Sequence, residues 1–278
     1  MVQYSEEELD KKLKEIKEKD SRKIAGPGLF EKFTGIFMEP GKMFKNLSYF
    51  KPNFLNWLVP ILAYILIFSI CEYIMLNNPD VKKEKFEAHY QMMESKVNNS
   101  LEKGSLSREE AEDILDLEYE KAKYFSVGSE FVPTFIFKLV TTFLQVLIVV
   151  VILQFFMNLF FSEIFVFKRT LLIYGLSFIV LIPEVLIRTI TVLMTGSYIS
   201  VLNFSLFLTG DNFITFFISS INPFILWFYL VLCIGIIETY RVKNKKKIYS
   251  LIYGSWCLMV VLNYFAMQQF AALSKLAR

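Results

Sequence analysis

Residues 133–161 read PTFIFKLVTTFLQVLIVVVILQFFMNLFF, 29 residues with a single charge, Lys138. A helix rises about 1.5 Å per residue and the hydrocarbon core of a bilayer is about 30 Å thick. The stretch is long enough to cross that core and too apolar to rest in water. Pro133 suits its first turn, where a helix leaves backbone N–H groups unpaired anyway. Four more runs share this character: 55–76 (LNWLVPILAYILIFSICEYIML), 170–195, 213–240 and 248–270. Together they predict an all-α membrane protein with five transmembrane helices. Pro183 in the third run and Asn222-Pro223 in the fourth predict kinks, because proline removes a helical hydrogen bond.

Composition supports the same class. The chain is 54% hydrophobic and 17% aromatic, with 29 Phe, more than a soluble domain can hide. Cys71, Cys233 and Cys257 all fall inside apolar runs, so they read as small core hydrophobes and not as a disulfide framework or a metal site. The first 25 residues are charged throughout, so no cleavable signal peptide is read there and an internal run serves as the insertion signal.

Lys and Arg near the ends of the runs set the orientation. The loop Arg241-Val242-Lys243-Asn244-Lys245-Lys246-Lys247 is strongly basic, and the short loop after the second run ends in Lys168-Arg169. The loop 196–212 has neither Lys nor Arg. The positive-inside rule places the basic loops in the cytosol, the N-terminus inside and the C-terminus outside. Lys275 and Arg278 run against this assignment.

Outside the runs the chain divides into three parts. Residues 1–28 form a charged cytosolic tail with a thin stripe of Leu9, Leu13 and Ile16, ended by Gly26-Pro27-Gly28. In residues 29–54, Phe30, Phe33, Ile36 and Phe37 recur at helical spacing. Met43, Phe44 and Leu47 follow Pro40-Gly41, with Lys32, Lys42 and Lys45 interleaved. Two short amphipathic helices of this kind suit the membrane interface. They would also suit packing beneath the bundle, and the two readings are compatible. Residues 77–132 read as an external helical hairpin. Phe86, Tyr90, Met93, Val97 and Leu101 make one stripe, and Gly104 marks the turn. Ser107 and Glu110 form a capping box, and Ile114, Leu117 and Phe125 lie on the second arm. This segment carries 13 acids against 8 Lys and Arg. It is either a docking surface or an ordinary solvated cap.

Charge inside a membrane segment is where function is looked for first. On a helical count, Glu72, Lys138, Glu184 and Arg188 fall in the outer half of the bilayer, with Asn222 and Asn263 at similar depth. Glu184 and Arg188 are also i, i+4 on one helix and able to pair. The group predicts either a polar cavity open to the outside, fit for a lipid headgroup or peptide, or a lock between helices. A second set, Glu163, Lys168, Arg169, Glu238, Arg241 and Lys245 to Lys247, marks the cytosolic side as topology determinants or as an anionic-lipid surface.

Three stretches carry a family resemblance. They are Phe37-Met38-Glu39-Pro40-Gly41-Lys42-Met43-Phe44, then Leu171 to Ser177 (with Tyr174 and Gly175) followed by Ile182-Pro183, and then Trp227 to Gly235 after Pro223. In their order and spacing, over about residues 29–270, the chain resembles the bacterial branch of the Yip family, the Ypt/Rab-interacting membrane proteins. The resemblance implies five membrane helices with the N-terminus in the cytosol. The GTPase-binding role of eukaryotic members does not carry over. Bacterial members resemble accessory proteins of export systems built from an ATPase-permease pair and a membrane-fusion adaptor. Fold alone does not fix function.

Enzyme signatures are absent. The single histidine, His89, rules out a multi-histidine metal site, and no metalloprotease, nucleophile-elbow, Walker or Gly-rich nucleotide motif is present. No cofactor is predicted. The basic residues lie at membrane edges and do not form a nucleic-acid surface. The sequence therefore predicts a non-enzymatic accessory or scaffold protein of the bacterial inner membrane. Its partners would be the bilayer and a membrane protein, with ABC-type export machinery the candidate. The alternative is a small transporter or lipid-handling protein whose path is lined by the intramembrane charges.

Overall fold

The computed structural model describes residues 27–102, 104, 106–123, 127–161, 164–197 and 212–276. The stripe Leu9, Leu13 and Ile16, together with Phe125 and Glu163, lies outside the described residues. Among those described, the regular structure is helical: α1 (Leu29–Met38), α2 (Pro40–Leu47), α3 (Phe54–Leu76), α4 (Pro79–Glu102), α5 (Arg108–Lys123), α6 (Val127–Phe160), α7 (Phe167–Ser177), a 3₁₀ turn (Phe178–Val180), α8 (Leu181–Thr195), α9 (Phe213–Ser219), α10 (Pro223–Tyr240) and α11 (Lys245–Leu276). Five spans are long and apolar enough to cross a membrane: Phe54–Leu76, Phe131–Phe160, Phe167–Thr195, Pro223–Tyr240 and Lys245–Phe265. The chain is an all-α membrane protein, and the five runs read from the sequence each overlap one of these spans.

Two runs differ from the simple helices expected. The third keeps its direction but tightens into the 3₁₀ turn just before α8. Pro183 has no N–H to offer the carbonyl of Ile179, and the shorter-range bonds of a 3₁₀ turn take up the slack. The fourth run, expected as one kinked helix over 213–240, is two helices. Asn222 precedes a proline, which disfavours helical backbone, and it is extended, with φ −123° and ψ 132°. Its side-chain oxygen accepts the Phe224 N–H at 2.8 Å, and Pro223 occupies the first helical position. Asn-Pro therefore stops α9 and restarts the chain as α10.

The third span is the axis of the bundle. In its apolar 18-residue stretch 67% of the residues are buried, against 22–44% in the corresponding stretches of the other four. Every residue from Thr170 to Val180 is buried. It touches α3, α6, α10 and the N-terminal α1. Two glycines permit these contacts. A Cβ on Gly175 would sit 2.7 Å from the Trp57 carbonyl oxygen, and one on Gly235 would sit 2.4 Å from Ile173 Cγ2 and 3.0 Å from the Phe44 ring. The opposite faces of α3, α6 and α8 leave Leu66, Phe137, Ile148, Phe155 and Ile190 exposed, an apolar surface suited to acyl chains.

The N-terminal helices are not a free surface layer. α2 runs along α10, and Phe37 of α1 meets Trp227 with ring centroids 5.2 Å apart. Ile36, Phe44 and Leu47 are buried in the main core. Phe44, read from the sequence as a membrane-interface side chain, is a core residue with no exposed surface. Phe33 and Phe37 are half-buried against the same core, while Phe30 is 80% exposed. Lys42 and Lys45 are exposed and Pro40 opens α2. The amphipathic pattern thus divides its labour: one stripe seats the helices and the other faces outward.

The segment after α3 reverses at Asn77-Asn78-Pro79, where the Asn78 side chain accepts the Asp80 N–H at 2.9 Å. α4 and α5 then pair as the predicted hairpin. Gly104 turns it with φ +70°. The expected capping box is present: the Ser107 N–H donates to Glu110 Oε2 at 2.9 Å, and the Glu110 N–H donates to Ser107 Oγ at 3.2 Å. Leu117, one of the apolar residues read on the second arm, is 56% exposed.

Candidate functional site

Four of the six polar residues read as an intramembrane cluster gather near the hairpin end of the bundle, with Asn222 beside them. Counted back from the hairpin ends of their helices, Glu72 is about 6 Å deep, Arg188 about 10 Å and Glu184 about 16 Å. The charges of Arg188, Glu72 and Glu184 all act on Lys138. Asn263 stands apart. It is exposed on α11, and no contact described for the cluster reaches it.

The pairing differs from what helical spacing suggested. Glu184 does not take Arg188, four residues on, as its close partner. Its Oε1 accepts from Asn222 Nδ2 at 2.9 Å, and Asn222 is 3% exposed. The side chain that caps α10 therefore also ties α10 to α8. Arg188 turns instead over the Phe68 ring, with its guanidinium carbon 5.3 Å from the centroid. Lys138 comes to the same ring from α6, with Nζ 4.1 Å from the centroid. Two cations share one aromatic ring. Such a contact contributes about 0.5–2 kcal/mol, whereas a cation near mid-span costs about 2.5–3.5 kcal/mol to insert. The ring offsets only part of that cost.

Glu72, 8% exposed, is reached from outside the bundle. Lys85 of the hairpin places Nζ 3.4 Å from its Oε1. The hairpin root is fixed at two further points. Glu84 Oε1 accepts from Ser197 Oγ at 3.1 Å, and Val81 packs with Met75 and Val192 in a small separate core. Gly196, left-handed at φ +66°, ends α8 beside Asp80. One layer thus links spans one, two, three and four to the base of the hairpin.

Lys85 and Phe68 were missed in the sequence. Lys85 lies 13 residues beyond Glu72, on the far side of a turn, and only the reversal at Asn78-Pro79 hints that the two meet. Phe68 is one of 29 Phe, and nothing local marks it.

At the opposite end, beside the basic set read from the sequence, Tyr240, Thr170 and Gln154 form a hydrogen-bonded group that was missed. Tyr240 accepts the Val166 N–H at 3.1 Å and donates to the Val166 carbonyl at 2.9 Å. Thr170, fully buried, donates to Gln154 Oε1 at 2.8 Å, and its Oγ1 lies 2.9 Å from the Tyr240 hydroxyl oxygen. Gln154 in turn donates to the Phe165 carbonyl. These bonds hold the α6–α7 loop against α10. Lys247 donates to the Phe160 carbonyl at the end of α6, where a cation also meets the negative pole of the helix. Glu238 pairs with Lys245 at 3.8 Å, and Arg241 lies over Tyr49. Arg241 is left-handed, φ 55°, a conformation that glycine adopts more readily.

The residues that carried the family resemblance are packing residues. Tyr174 is buried against Phe178 and Phe228. Gly175 and Gly235 permit close helix approach, Pro183 follows the 3₁₀ turn, Pro223 starts α10 and Trp227 seats Phe37.

Five apolar spans, the third buried among the others, with a polar layer at one end, define a multi-pass α-helical membrane protein. Comparison with protein-family models, with curated proteins and with solved structures finds no match in any of the three.

Proposed function

We propose that this chain is a non-enzymatic accessory protein of a bacterial inner membrane, similar to the Yip family, whose hairpin docks a basic surface of a membrane-protein partner. The observation that carries this reading is the anchored root of the hairpin. Lys85–Glu72, Ser197–Glu84 and the Val81 contact fix the arm to the bundle. A merely solvated cap needs no such anchoring.

The charge of the hairpin is concentrated on its far arm. α5 carries seven acids against three bases, with Glu109, Glu112, Asp113, Asp116 and Glu120 exposed. Leu117 and Tyr119, each 56% exposed, stand among them. Apolar anchors ringed by charge of one sign favour a basic partner, with the charges steering encounter and the anchors holding it. In the orientation given by the positive-inside rule, this arm faces away from the cytosol. A component of ABC-type export machinery would suit it. The transporter alternative is weaker because both acids of the polar layer are engaged by neighbouring side chains.

A photo-crosslinker in place of Tyr119, in cells, tests the proposal. The expected result is one discrete adduct to a membrane protein. The adduct should be lost when Glu112, Asp113 and Asp116 are changed to Lys. No adduct, or one indifferent to those charges, overturns the docking role.

A further inference from the structure

We infer that Lys138 and Arg188 form a binding site for a phosphate that carries no cation of its own, that of an anionic phospholipid headgroup or of free phosphate. The inference goes beyond the docking role and is independent of it.

The layer holds more cations than its acids can serve. Glu72 is engaged by Lys85 and Glu184 by Asn222. Among the described residues, Lys138 and Arg188 make no ion pair within 4.0 Å, and their close charged-group contact is the shared Phe68 ring. Arg188 Nε is buried and has no hydrogen-bond partner. A buried guanidinium N–H without an acceptor is costly, and an oxyanion is the group that relieves it best. Lys138 and Arg188 also repel one another. A single anion between them would turn that repulsion into attraction.

The geometry selects phosphate. Arg presents a planar fork of donors that takes two oxygens at once, and Lys adds a point charge with rotatable donors. The two reach the ring from α6 and α8, on either side of α3. Both are half-exposed, and the neighbouring Phe137, Ile187 and Ile190 are exposed apolar residues. A headgroup would find its phosphate ligands and an acyl-compatible wall side by side. Lys and Arg stems of this length can lift their charges towards the membrane surface, where lipid phosphates lie.

The full chain in phosphatidylcholine nanodiscs carrying spin-labelled phosphatidylglycerol or spin-labelled phosphatidylcholine provides the test. Measurements at about 0.5 M salt suppress the exposed basic loops, because screening acts within a few ångströms there. The wild type should prefer the anionic label by about tenfold, the scale of one charge-assisted hydrogen bond. Arg188→Gln and Lys138→Met should each remove most of that preference, Lys138→Arg should retain it, and Lys246→Met should leave it unchanged. If Arg188→Gln does not fold, the Lys138 pair decides alone. Displacement of the label by inorganic phosphate supports the site with free phosphate as the ligand. Retention of the label supports a lipid. No preference in the wild type, or a preference that survives Lys138→Met, overturns the inference.

Discussion

Lys32 of α1 shows how one residue departs from its composition. It is a lysine in an amphipathic segment, yet it is only 6% exposed and donates to Asn56 Oδ1 at 2.7 Å. Burial holds its pKa below the ordinary lysine range, with Glu31 opposing. The folded state therefore gives up the proton at lower pH than the unfolded chain, so stability rises as pH climbs from the folded pKa towards the unfolded one. Thermal unfolding in detergent across pH 7 to about 10 should show this rise in the wild type and a flatter profile in Lys32→Met/Asn56→Leu. The double variant should be at least as stable at neutral pH, because an apolar pair carries no desolvation cost. Asn56→Leu alone should lose about 1–3 kcal/mol by leaving a buried ammonium without an acceptor. A pH profile identical in the two proteins would remove Lys32 as the cause.

Between elements, the close approaches of the third span decide stability. Gly175→Ala places a methyl against the backbone of Trp57, 2.7 Å from its carbonyl oxygen and 2.9 Å from its Cα. Backbone cannot swing aside, so two spans must separate. The expected loss is about 1–3 kcal/mol or more, read as a lowered unfolding midpoint. Gly254→Ala is the control. A Cβ there meets nothing within 4 Å, and the helix propensity of alanine should leave stability unchanged or raise it by up to about 1 kcal/mol. Equal effects at the two positions would mean that packing is not what Gly175 protects. Element existence was legible in the sequence because length and apolarity alone make a span. The break at Asn222 was half legible, since Asn-Pro signals a disturbance but not whether a helix bends or stops. The partners of Glu72 and Glu184 were not legible. They depend on which helices become neighbours, and i, i+4 spacing proposed Arg188 where the fold supplies Asn222.

For the whole molecule, one orientation follows from the basic loops. With Cys71, Cys233 and Cys257 replaced, a cysteine at Glu112 should react with an impermeant maleimide in intact spheroplasts. One at Lys243 should react only after permeabilisation. The reverse pattern would invert the proposed topology and move the hairpin, with its acids, to the cytosolic side. Either way the polar layer belongs to the hairpin end, because Glu72 and Lys85 are joined there.

The seating of α2 on α10 also sets an order of events during synthesis. Phe44 lies against Gly235, so the two surfaces are separated by about 190 residues of chain. At about 5–20 residues per second, translation delivers the second surface roughly 10–40 seconds after the first. Through that interval the side of α2 that carries Phe44 has no α10 to cover it. A segment with apolar residues on one face and Lys42 and Lys45 on the other can wait on the bilayer surface. α2 is thus made early and finds its place late, and the membrane shelters it until α10 arrives.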